Sequence, residues 1–465
     1  MKRLLLVAIF AVCSAGPAKT PTPRLAASSS ATFSRTAAPA PTTTATVVSR
    51  PVPYVGNRIL YLASSGTFGN GSGAKAPLDA STQSKYDAII HGNQQNTTFY
   101  YAPGAYLTNG AAAGASCQHF GAGIDKTILR MNPSGSGLIF SGFNVNGFQA
   151  WNMTLDCNAN SGAGHGNSSG ANVVGSNLLF KNLKVIGYGT KSGAECFVLY
   201  SAPSGTNEPP NSQFSHVHVE NCQFTRPATG NTGGVSLVYL GTDAQNGVKL
   251  TDAAILNCIF DTPGDFRWWN CMYGTDCENN TIEGDPASKA VQTGWCTEPG
   301  SWNGLSTHQD AWNTSFLIKN NDFIHCRSGV VVGAHPNGAV GPITVTGNRF
   351  EFTNGRNAGE VAVALIASTG SFGDIPVVTS FTITNNQLAG ANGGVVYYGL
   401  VNIGGSNPDL PQGGVTTLTL MHNTVDGPTS SNDLGTIAIH LKGNYSFNIS
   451  NNTFSNGTII PVTNH

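Results

Sequence analysis

Charge is what this 465-residue chain has least of: 23 Lys and Arg stand against 24 Asp and Glu, and only 10% of residues are charged. That balance lacks the basic excess of a nucleic-acid binder, so no nucleic-acid partner is expected. Beyond the apolar run from Leu4 to Val12, no stretch is long enough to span a membrane, so no membrane partner is expected either. No C-x-x-C pair occurs, which argues against a zinc ribbon. Tryptophan is scarce, with 6 in the chain, and that scarcity makes any grouping of the indoles informative. What the chain has in quantity is Gly, at 57 residues, set among many Asn, Ser and Thr. Such a composition suits short strands and sharp bends.

A repeat runs through most of the sequence. Its clearest copy is Phe316-Leu-Ile-Lys-Asn-Asn-Asp-Phe323: alternating apolar residues, an Asn pair, a polar residue and an apolar one. Close copies lie at Cys277 to Ile282, Phe381 to Leu388 and Phe447 to Phe454. Weaker ones begin at Phe148, Leu178, Val217, Ala253, Ile343 and Leu418. The second position of the pair reads Met153, Leu183, Cys222, Cys258, Asn280, Asn321, Asn348, Asn386, Asn423 and Asn452. A column that exchanges Asn for Met, Leu and Cys faces a core. Buried amides need partners, and identical amides stacked about 4.8 Å apart supply them to one another, so an internal Asn ladder is expected. The first position reads Asn152, Asn182, Asn221, Asn257, Asn279, Asn320, Gly347, Asn385, His422 and Asn451, types that tolerate a left-handed bend.

The shortest interval, from Cys258 to Asn280, is 22 residues, close to the roughly twenty that a rung of three short strands and three bends requires. Longer intervals carry loops. The fold class expected is all-β: a single right-handed parallel β-helix of about ten rungs, over residues 54–465, closed at its start by a helical cap near residues 86–91. Ahead of it, residues 1–15 have the charged start and apolar run of a secretory signal peptide. Residues 16–53 are a Pro/Thr/Ser/Ala-rich linker. The expected location is therefore secreted or periplasmic. In an exported chain, five cysteines between residues 258 and 326 are expected to include disulfides, one of them tying down the loop around Cys296. Cys222 and Cys258, in the inward column, are read as small apolar residues that stack.

With its ladder, bends and capped start, the chain resembles the pectin-lyase-like superfamily of extracellular polysaccharide enzymes and phage tailspikes. The resemblance covers about residues 86–460 and implies fold more than activity. Gly164-His165-Gly166 is similar to a polygalacturonase signature, but the Asn-Thr-Asp and Arg-Ile-Lys motifs that accompany it are absent. The resemblance implies a groove along the loop-bearing face and a polysaccharide as partner. The longest loop, around residues 295–312, lies there. Trp268, Trp269, Trp295, Trp302 and Trp312 fall inside it or just before it. Indole faces stack on sugar rings, so Trp268, Trp269, Trp295 and Trp302, with Glu298, are expected to bind substrate.

Arg267 and Lys289 each stand nine residues past a reference position, 258 and 280. If the intervening bends match, the two cations are neighbours about 5 Å apart on adjacent rungs. A cation beside a Lys lowers its pKa, and Arg grips a carboxylate. This is equipment for β-elimination on a uronic-acid polymer, with Lys289 as base, Arg267 on the carboxylate, and His335 or His308 assisting the leaving oxygen. The competing readings are a glycoside hydrolase using a carboxylate pair, with Asp310 first among the candidates, and a non-catalytic surface binder. His216, His218 and Glu220 share one face of a strand, in a line that suits a solvated face better than a metal site. No pattern requires a cofactor; calcium is admitted without being required.

Overall fold

The computed structural model describes residues 57–454 except 134, 136, 159–168, 188–196, 201–212, 226–235, 242–248, 262–264, 270–271, 284–292, 299–315, 325–327, 335–338, 341, 352–360, 368–376, 379, 390–398, 404–413, 427–436 and 440. The assignments of residues 1–15 and 16–53 lie outside the described residues. So do Lys289, Trp302, His308, Asp310, Trp312 and His335.

Every strand pairing in the described chain is parallel, and the register repeats from rung to rung. Phe316–Lys319 pairs with Ile343–Thr346, residue for residue, and that strand pairs with Phe381–Thr384. The next pairing joins Phe381–Thr384 to Gly414–Met421. The short strands after the Asn pairs, such as Asp322–Ile324 and Arg349–Glu351, stack in a second register. These two series make one 26-stranded sheet, and the third strands of each rung make another of 11 strands. The result is a parallel β-helix. It begins earlier than the Asn-pair repeat: Arg58–Ala63, Thr97–Tyr101 and Gln118–Phe120 stack in turn ahead of Gln149–Asp156.

The inward column forms the predicted ladder. Asn321 Nδ2 donates to Asn348 Oδ1 at 3.0 Å, Asn348 to Asn386 at 3.0 Å, Asn386 to Asn423 at 3.0 Å and Asn423 to Asn452 at 2.9 Å. Each Nδ2 also reaches a backbone carbonyl, as Asn386 does to Val345 O at 2.9 Å. Each Oδ1 further accepts a main-chain N–H from the preceding rung, as Asn386 Oδ1 does from Asn348 N at 2.9 Å. Asn280, Asn321, Asn348, Asn386 and Asn423 are all at most 1% exposed, so this mutual satisfaction is what makes burial of five amides tolerable. The preceding column has positive φ throughout, from Asn182 at 51° to Gly347 at 67°. The Asn pair is thus one bend residue and one ladder residue. Apolar side chains on both flanks, among them Phe316, Ile318, Phe323 and Phe350, fill the interior.

The cap is the helix Gln83–His91, a little longer than expected. Thr82 starts it, accepting from Lys85 N, and Gly92 ends it. Tyr86, Asp87 and Ile90 are its buried residues. Asp87 pins the helix to the coil, accepting from Thr108 Oγ1 at 2.8 Å and Asn109 N at 3.1 Å. No helix among the described residues is long and apolar enough to cross a membrane.

Candidate functional site

Five predicted site residues lie on two adjacent strands of the 11-stranded sheet, Asp265–Trp269 and Thr293–Glu298. Their register is Arg267 opposite Cys296, Trp268 opposite Thr297 and Trp269 opposite Glu298. On the preceding strand, Tyr239 stands opposite Arg267 and Gly241 opposite Trp269. Trp295 is paired with Val330, which is fully buried. Strand alternation therefore divides the expected set. Trp295 and Trp268 share the register of Val330, whereas Arg267, Trp269 and Glu298 occupy the alternate one.

The register also corrects one inference. Arg267's neighbour on the following rung is Cys296 and not Lys289. Equal sequence offsets do not give equal register here, because the connections differ. Three residues separate Ile259–Asp261 from Asp265–Trp269, whereas nine, 284–292, separate Thr281–Glu283 from Thr293–Glu298. Lys289 belongs to that longer connection. The lowered lysine pKa inferred from a stacked cation therefore loses its basis.

A second polar cluster was misjudged from the sequence. His218 and Glu220 were expected on a solvated face, but they are 0% and 4% exposed. Alternation tells which side of a sheet a residue occupies, not whether that side is covered. The outward column here, Gln149, Leu179, His218 and Ala254, is buried on all four rungs. Burial of charge then demands partners. Glu220 receives Lys181 Nζ at 3.1 Å and lies 3.4 Å from His218 Nδ1. His218 Nε2 is 3.9 Å from Asp252, whose other oxygen bonds His216 Nδ1. Lys181 Nζ sits 5.3 Å from the centre of the Trp151 ring. The hydrogen bond from His218, aided by Lys181 and opposed by burial, holds the Glu220 carboxyl down at about 2. His216 and Asp252 both have positive φ, 57° and 52°, so a second bend places them. Asp252, Lys181 and Trp151 were not foreseen; only pairing of distant rungs brings Asp252 to His218, Lys181 to Glu220 and Trp151 to Lys181.

Among the described residues, no group of three or more His, Cys, Asp or Glu side chains is placed to hold a metal ion. No disulfide joins the described cysteines: Cys117, Cys157, Cys222 and Cys258 are free and buried, and Cys277 is buried as well. Cys222 and Cys258 do stack, with Cys222 N donating to Cys258 Sγ at 3.4 Å.

The fold defines the class: a parallel β-helix. The chain matches no family model and no curated protein. Solved structures similar to it include the A-module of the Azotobacter vinelandii mannuronan C-5 epimerase AlgE4, 12% identical over 86% of this chain and 100% of that one, with a TM-score of 0.45. A family 28 exopolygalacturonase from Yersinia enterocolitica is 12% identical over 86% of this chain and 78% of its own, with a TM-score of 0.46. An alginate lyase from Paenibacillus is 13% identical over 74% and 99%, with a TM-score of 0.30.

Proposed function

We propose that this protein is an exported enzyme that binds an acidic polysaccharide along the 11-stranded sheet and cleaves it by β-elimination. The carrying observation is the register that sets Arg267, Trp269 and Glu298 in one alternate set on adjacent strands. An indole offers a stacking face for a pyranose. A guanidinium two residues along the strand matches a uronate carboxylate. Neutralising that carboxylate acidifies the adjacent C–H. A base takes this proton, a double bond forms, the glycosidic C–O bond breaks, and the leaving oxygen is protonated. Lys289 is retained as the base because it is the one lysine between Lys249 and Lys319 and belongs to the connection entering the strand beside Arg267. His308 or His335 supplies the proton to the leaving oxygen. Trp302 belongs to the long loop and completes the sugar contacts.

Hydrolysis needs two carboxylates about 5–9.5 Å apart. Asp265 and Glu298 do not suit it, since four residues and one strand spacing put their backbones roughly 14 Å apart. Asp310 keeps hydrolysis as the alternative. Incubation with polyuronates and neutral polysaccharides separates the readings. Unsaturated ends absorbing in the ultraviolet are expected from polyuronates, lost in Lys289→Ala with binding spared, and weakened in both respects in Arg267→Ala. New reducing ends without unsaturation, abolished by Asp310→Asn, would replace the lyase with a hydrolase. Retention without products would leave a binding protein. Recovery of the chain outside the cytoplasm, shortened at its amino terminus, is the matching test of export.

A further inference from the structure

We propose that Cys222 and Cys258 are a modification site: a disulfide linking adjacent rungs inside the coil, formed as the chain folds in an oxidising compartment. The inference rests on the proposed export of the chain and is independent of the polysaccharide reading.

Four observations carry it. First, the two residues are register partners, since Glu220 pairs with Leu256 and Gln223 with Ile259 on either side of them. Parallel partners lie about 4.8 Å apart, inside the window of about 4.4–6.8 Å between Cα atoms that a disulfide spans. Second, both side chains lie in the inward column, each 1% exposed. Cys258 Sγ already occupies the place of a ladder amide oxygen, accepting from Cys222 N at 3.4 Å. Third, no other pair of described cysteines stands in register. Cys277 pairs with Ile255 and Cys296 with Arg267 and Val331, while Cys258 is followed in its own column by Asn280. Fourth, the pair sits where the ladder ends. From Asn280 onward amides tie each rung to the next, and Cys258 N donates to Asn280 Oδ1 at 2.7 Å. Ahead of Cys222 the column holds Leu183 and Met153, which make no such tie. A disulfide would continue the ladder covalently by one rung.

The chemistry is thiol–disulfide exchange with a low-molecular-weight disulfide or an exported oxidase disulfide. Two thiol protons and the oxidant's S–S bond are lost. One Sγ–Sγ bond forms, and the protons leave on the two thiols released from the oxidant. Burial pushes the Cys258 thiol well above its usual range, and buried thiols react slowly, so the bond belongs to the folding chain and not to the finished coil.

The test refolds reduced, denatured full-length protein in a glutathione and glutathione-disulfide buffer, in parallel with dithiothreitol. Remaining thiols are then alkylated in denaturant, and a non-reducing digest is weighed. The expected result is one linked peptide pair containing Cys222 and Cys258, and a melting midpoint higher for the oxidised than for the reduced protein. In Cys222→Ala/Cys258→Ala the midpoint should become independent of redox buffer. Full alkylation of both residues after oxidative refolding, or linkage of either one to a different cysteine, overturns the proposal. Should the double variant fail to fold, the wild-type peptide map alone still decides.

Discussion

The two halves of the inward column solve the same packing problem differently. From Asn280 to Asn452 the interior carries neutral amides, each of the first five donating to the amide of the next rung. From Leu60 to Cys258 the interior is mostly apolar, and the polar side chains buried there include titratable ones. His119 is fully buried among Phe99, Tyr101, Phe140 and Phe148. It shares one hydrogen bond with Tyr101 Oη at 2.6 Å and leaves Nε2 without a partner. Tyr101 in turn meets Tyr86 of the cap at 3.2 Å. The amide half gains cooperativity between rungs at no cost in pH sensitivity. The apolar half relies on contact area and carries groups whose protonation disfavours burial.

Breaking the amide half gives the largest expected change. Asn386→Ala removes an oxygen that accepts both Asn348 N and Asn348 Nδ2. With up to two buried donors stranded at about 1–3 kcal/mol each, the loss is roughly 2–6 kcal/mol by denaturant unfolding. Asn385→Gly beside it should change little, because Asn385 has φ 57° and glycine adopts that conformation readily. If the two variants lose equal stability, the ladder does not bear the load assigned to it.

Acid should separate the halves next. Burial holds the His119 imidazole down to about 3 from 6.5. The unfolded chain therefore takes up a proton in that interval that the folded chain refuses, and stability falls as pH drops from 6.5 toward 3. The full shift corresponds to about 5 kcal/mol. Hydrogen exchange should then show the rungs around His119 opening before those of the Asn ladder. His119→Phe should flatten the decline between those pH values, and a decline unchanged in that variant would place the acid sensitivity elsewhere.

The smallest effect concerns Glu220. Its folded carboxyl, held at about 2 against 4.5, contributes stability that is present above 4.5 and lost as pH falls through 2. Burial of the ion pair is already part of that net shift, which corresponds to about 3 kcal/mol. Glu220→Gln should remove the dependence in that window while leaving the His119 step between 6.5 and 3 in place.

Much of this architecture could be read in the residue string. The pairing of a bend residue with a ladder residue is local chemistry, visible as Asn-Asn against Asn-Cys or Asn-Met, and every predicted bend position has positive φ. The inward column was equally legible, because exchange among Asn, Cys, Leu and Met marks burial wherever it occurs. The candidate site was legible only as a region. The clustered tryptophans and the longest loop located it, but the side-by-side placement of Arg267 and Lys289 failed.

The reason is that register across a β-helix depends on how many residues each connection consumes before the next strand begins. That number is settled by pairing with rungs tens of residues away, so an offset counted along the chain carries no warrant for it. Burial of an outward face has the same character. Nothing within Gln213–Glu220 distinguishes His218 from a solvated histidine; its place among Lys181, Glu220 and Asp252 comes from strands about 36 residues apart on either side. The coil and its ladder are thus properties of the local repeat, while the partners of Arg267 and His218 arise only when distant rungs stack.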